Sequence, residues 1–146
     1  MNDPVRKQIE VVAGLILDGQ KLLVCQRRHD AAFPFKWEFP GGKVEVGESA
    51  STALARELKE ELDITAGTIN LIYQHNHAYP DGPDVSLKFF HVIEFQGEIK
   101  NLVFERIAWS RLTELIGFDF LDGDLPLVQQ LAHGGFPANL VGGGAN

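Results

Sequence analysis

The segment WEFPGGKVEVGESASTALARELKEELDI, which runs from Trp37 to Ile64, decides the fold of this chain. Its second half predicts a helix over residues 51–62, because leucines recur there at i, i+4 and i+8 and form one apolar stripe. These leucines are Leu54, Leu58 and Leu62. The helix therefore has one side to bury. The two glycines that precede it predict a turn at which backbone carbonyls are open to close approach.

Three glutamates lie beside the apolar stripe. At about 100° per residue, Glu61 lies about 40° to one side of Glu57 and Glu60 about 60° to the other, so all three carboxylates are expected to point the same way. Arg56 stands four residues before Glu60 and can hold its carboxylate, while Glu48 can reach the first turn of the helix or pair with Arg56. Such a cluster is either a solvated face or a site for a hard cation such as magnesium, which prefers oxygen ligands.

The rest of the chain predicts a sheet around this helix. Apolar and β-branched runs predict strands at 9–19, 20–28, 37–39, 68–79, 84–95 and 106–110. Turn signals lie at Asp18-Gly19 and in PDGPD at 80–84, and Pro40-Gly41-Gly42 is expected to stop the short third strand. Helices separated by strand runs predict an α/β (α+β) fold, a mixed sheet flanked by helices.

The C-terminal part predicts a second helix. A short helical turn is expected at 113–118, and a last helix over 124–132 with Asp124 as its N-cap and Pro126 in its first turn. Residues 133–146 are rich in glycine, so we expect a flexible tail there.

Length and composition fit one globular domain. The chain has 146 residues, 45% of them hydrophobic, so we expect a single domain over 1–146 with its core at about 9–132. The net charge of −7, from 13 basic and 20 acidic residues, argues against binding to duplex nucleic acid. No apolar run is long enough for a bilayer and the N-terminus reads as no signal peptide, so no membrane partner is expected. The single Cys25 indicates a reducing compartment, the cytoplasm.

The spacing of the charged residues resembles the Nudix box. That box has the pattern Gly-x5-Glu-x7-Arg-Glu-aliphatic-x-Glu-Glu-x-Gly-aliphatic. The matching positions are Gly42, Glu48, Arg56, Glu57, Leu58, Glu60, Glu61 and Ile64. Asp63 departs from the pattern, because the family has a glycine here that ends the helix in a left-handed conformation. Aspartate adopts that conformation at a cost of about 1 kcal/mol. The resemblance implies the Nudix-type α/β/α sandwich.

The resemblance also implies a chemistry, the hydrolysis of a nucleoside diphosphate linked to another group with a divalent metal, magnesium or alternatively manganese. The metal ligands that it implies are Glu57, Glu60, Glu61 and the carbonyl of Gly41. The metal would neutralise phosphate charge and lower the pKa of a bound water. The catalytic base is then either Glu57 or Glu105, and Arg56 holds the carboxylate of Glu60.

Two segments are similar to MutT-like nucleoside triphosphate pyrophosphohydrolases, CQRRHDAAFPFKWEFPGGKVEVGES at 25–49 and FDFLDGDLPLVQQLA at 118–132. The candidate substrate-binding residues are Arg27, Phe39, Lys43 and Asp124. Asp124 either reads guanine or cytosine or only caps the helix, and both roles can coexist. Arg27 touches the nucleotide or is solvated at a strand end. Phe39 lines the base pocket or packs in the core, and Lys43 reaches a phosphate or faces water.

The expected function is magnesium-dependent hydrolysis of a (deoxy)nucleoside triphosphate to a monophosphate and pyrophosphate. An oxidised guanine nucleotide or a cytidine nucleotide is the leading substrate, which would make the enzyme one that sanitises the nucleotide pool. The first alternative is the same chemistry on ADP-ribose, a nucleoside diphosphate sugar or a dinucleoside polyphosphate. The second is a module that only senses a nucleotide. The expected partner is a small nucleotide, and the sequence leaves open whether the chain is a monomer or a homodimer.

Overall fold

The computed structural model describes residues 8–136. Its strands, in chain order, are β1 Gln8–Leu15, β2 Leu17–Asp18, β3 Lys21–Gln26, β4 Trp37–Glu38, β5 Gly41–Lys43, β6 Thr65–Ala66, β7 Ile69–Ala78, β8 Asp84–Val92, β9 Phe95–Gln96 and β10 Arg106–Arg111. Its helices are α1 Ala50–Leu62 and α2 Leu125–Gly134, with 3-10 turns at Leu112–Gly117 and Asp122–Asp124.

The strands form two main sheets and one small one. The larger sheet has the order β5-β1-β8-β7, in which β1 is parallel to β8 and the other pairs are antiparallel. The second has the order β10-β3-β2, and β4 also pairs with β3. Strands β6 and β9 form a short pair of their own. The larger sheet is therefore mixed, as the sequence predicted.

Alternation along the strands sends side chains to two apolar clusters, and each cluster contains one helix. The apolar stripe of α1 packs in one cluster with Val12, Leu23 and Phe90. Helix α2 packs in the other cluster with Leu87 and Phe89. The buried residues of α2 are Leu127, Val128 and Leu131. This arrangement confirms a sheet core with helices on both faces.

Two short strand pairs differ from the expectation. Strand β4 ends at Glu38, before Pro40-Gly41-Gly42, as expected, but the two glycines also begin a strand of their own, β5, in which Gly42 lies opposite Val12 of β1. Pairing with a neighbouring strand overrides the weak strand propensity of glycine here, because that pairing uses only the backbone. The strand expected to run to residue 95 ends at Val92, and residues 95–96 pair with 65–66 instead.

Helix α1 has a definite beginning and end. It begins at Ala50, one residue before the predicted start, and the Oγ of Ser49 accepts a hydrogen bond from the backbone N–H of Thr52 at 3.1 Å. It ends at Leu62 as predicted. Asp63 follows with φ 58° and ψ 37°, the left-handed conformation expected of the position where the family has glycine.

Helix α2 extends beyond its predicted end at 132 to Gly134, and its first turn contains Pro126. Phe136 then packs against the ring of His91, with 4.8 Å between the ring centroids. The residues at 133–136 are therefore part of the packed structure, which corrects the expected start of the tail. The rest of the tail lies outside the described residues. Within 8–136, no helix is long and apolar enough to cross a membrane.

Candidate active site

The guanidinium of Arg56 organises the acidic side of α1. It donates to both carboxylate oxygens of Glu48, at 2.8 and 3.0 Å, and its Nη1 also contacts Glu57 and Glu60 at 3.1 Å each. Its Nη2 donates to the carbonyl of Lys43 at 3.0 Å, which ties the helix to β5. The two-pronged pairing, together with a backbone N–H from Glu45, lowers the pKa of Glu48 to about 2.

The second feature is a pair of carboxylates against the Gly-Gly strand. The backbone N–H of Gly41 donates to Oε1 of Glu61 at 3.1 Å. A Cβ on Gly42 would collide with the carboxylate of Glu57, so this glycine makes room for the side chain. Burial raises the pKa of Glu61 to about 9, and the charges of Glu57 and Glu38 add to this effect. Arg56 contacts Glu57, whereas no positive charge is among the groups that shift the pKa of Glu61.

Glu60 is the most exposed of the three carboxylates. Its side chain is 54% exposed, whereas that of Glu57 is 17% exposed and faces β5. Both contact Nη1 of Arg56, so these carboxylates lie on the same side of α1, as expected. Within residues 8–136, no three His, Cys, Asp or Glu side chains converge on a metal position.

The donor set nevertheless suits a hard cation. Two carboxylates with a backbone carbonyl nearby are typical of magnesium, which keeps waters and takes further oxygens from substrate phosphates. A divalent cation bound there would also place a positive charge beside the buried carboxyl group of Glu61. Glu57, Glu61 and the carbonyl of Gly41 are thus the residues that fit a metal.

Glu105 lies against a different part of the chain. Its Oε1 accepts from the backbone N–H of His29 at 3.2 Å and lies 3.4 Å from Nδ1 of the same residue. These hydrogen bonds lower the pKa of Glu105. A lowered pKa makes this carboxylate a weaker base.

A buried acid marks the other end of the site. Asp124 is only 5% exposed, has a helical backbone conformation and makes no side-chain hydrogen bond to α2. Asp124 is the N-cap residue of α2, as predicted, but its buried side chain makes no capping hydrogen bond, because the preceding 3-10 turn gives its backbone a helical conformation. Burial raises the pKa of Asp124 well above its ordinary value. The negative charge of Glu38 raises it further, and Arg27 opposes both effects.

Arg27 is held in place by two neighbours. Its Nε donates to the carbonyl of Ala32 at 2.6 Å and its Nη1 donates to Oε1 of Glu38 at 3.1 Å. Glu38 also raises the pKa of Glu61 through its charge, so it lies between the two ends of the site. Glu38 was not among the residues predicted from the sequence. A single acid between two aromatic residues of a predicted strand was the signal for it.

Tyr79 was also missed, and it connects two elements near Asp124. Its hydroxyl accepts a hydrogen bond from the backbone N–H of Gly123 at 3.1 Å. A Cβ on Gly123 would lie 2.9 Å from that hydroxyl oxygen and 2.9 Å from Cδ1 of Leu87, so only glycine allows this approach. Because Gly123 directly precedes Asp124, Tyr79 fixes the turn that carries the buried acid.

The two remaining candidates are Phe39 and Lys43. Phe39 is 3% exposed, and its ring packs against Phe120 and Phe89 with centroids 5.1 and 6.3 Å apart, which is core packing. The side chain of Lys43 is exposed, and its backbone carbonyl rather than its ammonium group contacts the acidic helix.

Comparison with known proteins agrees with this geometry. The NUDIX domain model matches residues 7–132. The chain is 35% identical over 123 residues to a CTP pyrophosphohydrolase of Escherichia coli K12, covering 84% of this chain and 90% of that protein. It is 31% identical over 126 residues to an 8-oxo-dGTP diphosphatase of the same organism, covering 86% and 97%.

A solved structure agrees as well. The solution structure of the E. coli ORF135 protein has a TM-score of 0.78 and 33% identity, covering 99% of this chain and 100% of that one. The box carboxylates therefore lie on a sequence that matches the family model and on a fold that is similar to a solved structure. The chain belongs to the Nudix family and is a pyrophosphohydrolase.

Proposed function

We propose that this enzyme hydrolyses a (deoxy)nucleoside triphosphate to a monophosphate and pyrophosphate, with magnesium or manganese as cofactor. The observation that carries the proposal is the carboxylate pair of Glu57 and Glu61 against Gly41-Gly42, with a separate buried acid, Asp124, at the other end of the site. One end suits a polyphosphate with its cation, and the other suits a base edge. Relatives named as a CTP pyrophosphohydrolase and an 8-oxo-dGTP diphosphatase support it.

The residues divide the chemistry between them. Glu57, Glu61 and the carbonyl of Gly41 would hold the cation, which supplies charge neutralisation and an acidified water when bound. Glu60 remains a candidate ligand that would have to leave its contact with Arg56. Water forms a new P–O bond as the anhydride bond between two phosphates breaks, pyrophosphate leaves, and the proton of the water passes to a carboxylate. We assign this base to Glu57, with Glu105 as the alternative.

Asp124 and Arg27 form the proposed base-reading end, and Lys43 is the proposed phosphate contact. Because the pKa of Asp124 is raised, its carboxyl group can be protonated and can then both donate and accept hydrogen bonds. Guanine presents the acceptors O6 and N7 and cytosine presents an amino donor, so such a group can pair with either. An oxidised guanine nucleotide or a cytidine nucleotide is the proposed substrate, and pool sanitising in the cytoplasm is the proposed role.

A panel assay tests this proposal. The purified enzyme is incubated with magnesium and with the common nucleoside triphosphates, 8-oxo-dGTP, ADP-ribose, a nucleoside diphosphate sugar and a dinucleoside polyphosphate, and the products are identified. Release of pyrophosphate with a monophosphate from at least one triphosphate is expected. If only the other substrates are cleaved, the first alternative is correct. If nothing is cleaved but nucleotides bind, the sensing alternative is correct.

A first prediction distinguishes the carboxylates from one another. Glu61→Gln should lower kcat by about 100-fold or more, because an amide replaces a carboxylate that is proposed to hold the cation. Glu60→Gln should lower it less, since that side chain is exposed and held by Arg56. Glu114→Gln, at an exposed position on a 3-10 turn, is the control and should turn over like the wild type. An equal loss in Glu60→Gln and Glu61→Gln would contradict the assignment.

A further inference from the structure

We propose that Phe33 and Tyr79 form an aromatic platform on which the base of the nucleotide stacks, which rests on the proposed function. Phe33 lies in the loop between β3 and β4, 51% exposed, and its ring contacts that of Tyr79 with 5.6 Å between centroids and 38° between planes. A ring that packs on one neighbour and leaves half of its surface open has a free π surface. Every nucleobase has a face that can stack on such a surface.

The backbone of this loop is held in an uncommon conformation. Phe33 and Phe35 have φ of 52° and 65°, in the left-handed region that bulky residues rarely adopt. Hydrogen bonds enforce it: the side chains of Arg27 and Gln26 donate to the carbonyls of Ala32 and Phe35, and the backbone N–H of Phe35 donates to the carbonyl of Arg27. The loop therefore presents its aromatic rings on a preorganised backbone, and such strain is typical of ligand-binding segments.

The platform lies beside the proposed base-reading end. Tyr79 bonds Gly123, the residue before Asp124, and Arg27 bonds both Ala32, the residue before Phe33, and Glu38. Phe33 is therefore linked to Arg27 through Ala32, and to Asp124 through Tyr79 and Gly123. Asp124 would select the base through its edge, and the platform would supply affinity through its face.

The chain provides a matched control. Phe35 is in the same loop, is 52% exposed and has the same backbone conformation as Phe33. The ring of Phe33, unlike that of Phe35, contacts Tyr79. Any general effect of removing an exposed aromatic residue from this loop should therefore be the same in both variants, and a stacking effect should appear only at Phe33.

The test measures the affinity of the wild type, Phe33→Ala, Phe33→Trp and Phe35→Ala for GMP, and for ribose 5-phosphate as a ligand without a base. Titration by NMR suits a chain of 16.2 kDa and measures weak binding. Phe33→Ala should bind GMP about ten-fold more weakly and ribose 5-phosphate as the wild type does, because stacking of one base on an aromatic ring accounts for a factor of this order. Phe33→Trp should restore binding of GMP, and Phe35→Ala should leave it unchanged.

Three outcomes would overturn the inference: unchanged binding of GMP by Phe33→Ala, an equal loss in Phe35→Ala, or an equal loss for both ligands. The hydrolysis panel on the wild type separates this inference from the proposed function. If the panel releases no pyrophosphate while Phe33→Ala still loses affinity for GMP alone, the proposed function fails and the platform remains. If triphosphates are hydrolysed but Phe33→Ala binds GMP normally, only the platform fails.

Discussion

Carboxyl groups of nearly the same chemistry have opposite acidities in this molecule. Glu48 has a pKa of about 2 because Arg56 and a backbone N–H stabilise its charged form. Glu61 has a pKa of about 9 because burial and two neighbouring acids destabilise its charged form. Asp124 is shifted in the same direction as Glu61. At the residue scale, the surroundings of each acid rather than its type therefore decide whether it pairs with a cation or carries a proton.

Gly42 should be required for activity more than for folding. In Gly42→Ala the new Cβ meets the end of the flexible side chain of Glu57, which can move aside at little cost in stability. Moving that carboxylate by about 1 Å should lower kcat by about 100-fold. Gly117→Ala is the control, because a Cβ there has no atom within 4 Å. Wild-type kcat in Gly42→Ala, with its melting temperature measured alongside, would show that the position of Glu57 is unimportant.

Asp124→Asn should change how stability depends on pH. The native state keeps the proton of Asp124 above the ordinary pKa of an aspartate, so as pH rises the unfolded state releases its proton first and the wild type loses stability. Each unit by which the native pKa is raised corresponds to about 1.4 kcal/mol. The stability of Asp124→Asn relative to the wild type should therefore increase as pH rises from about 4.

Urea unfolding of both proteins across a pH series measures this difference. A constant offset between the two proteins, from packing of the amide, is compatible with the prediction because only the slope is compared. A stability difference that is flat in pH, or that falls as pH rises, would show that Asp124 is charged in the native state.

At the element scale, α1 has caps at both ends. The side chain of Ser49 satisfies a backbone donor at the beginning, and at the end the N–H of Asp63 donates to the carbonyl of Lys59 at 3.1 Å. The ammonium groups of Lys59 and Lys100 lie 2.9 and 3.6 Å from the carboxylate of Asp63. These ion pairs partly offset the backbone strain of the aspartate. Helix α1 therefore ends in the left-handed conformation at residue 63 even though this residue is not glycine.

The strain at Asp63 can be isolated by comparing two variants. Asp63→Gly and Asp63→Ala both remove the ion pairs with lysine, but only glycine adopts φ near 58° without cost. Asp63→Gly should therefore have a free energy of unfolding about 1 kcal/mol higher than that of Asp63→Ala. Urea unfolding at pH 7 measures both. Equal stabilities would mean that the residue after α1 does not need the left-handed conformation.

At the scale of the whole molecule, two apolar clusters determine where the site lies. The cluster that contains α1 fixes the carboxylates against β5, and the cluster that contains α2 fixes the turn with Asp124. Phe39 belongs to the second cluster, where its ring contacts Phe89 of β8 and Phe120 near the turn. It therefore joins a strand of one sheet to the segment that carries Asp124.

Phe39→Ala should destabilise the fold far more than Phe33→Ala. Truncating a buried phenylalanine costs about 3–5 kcal/mol, through lost burial and the cavity left behind, and Phe39 is 3% exposed. Phe33 is 51% exposed and its truncation should change the free energy of unfolding by about 0.5 kcal/mol or less. Thermal or urea unfolding of both variants measures the contrast. A loss of less than about 1 kcal/mol in Phe39→Ala would place its ring outside the core.

The sequence by itself determined the parts of this protein that depend on local spacing. The leucines of α1 recur with the helical period, so the helix, its boundaries to within one residue and the position of its carboxylates beside the stripe followed from the chain. The pairing of Arg56 with Glu60 followed from the same spacing and is confirmed, and of the two alternatives for Glu48 the structure has the pair with Arg56. Apolar alternation likewise placed the long strands.

Only the tertiary structure decided which of these groups meet. The pairing of β5 with β1 brings Gly41 and Gly42 against Glu57 and Glu61 but not against Glu60. A hydrogen bond between two residues that are 44 positions apart in the sequence joins Tyr79 to Gly123 in the turn before Asp124. The carboxyl group of Asp124 is buried and does not cap the helix. Periodicity reports the face of an element on which a residue lies, but contacts between distant elements depend on how the two clusters pack, and this information is not local to any segment.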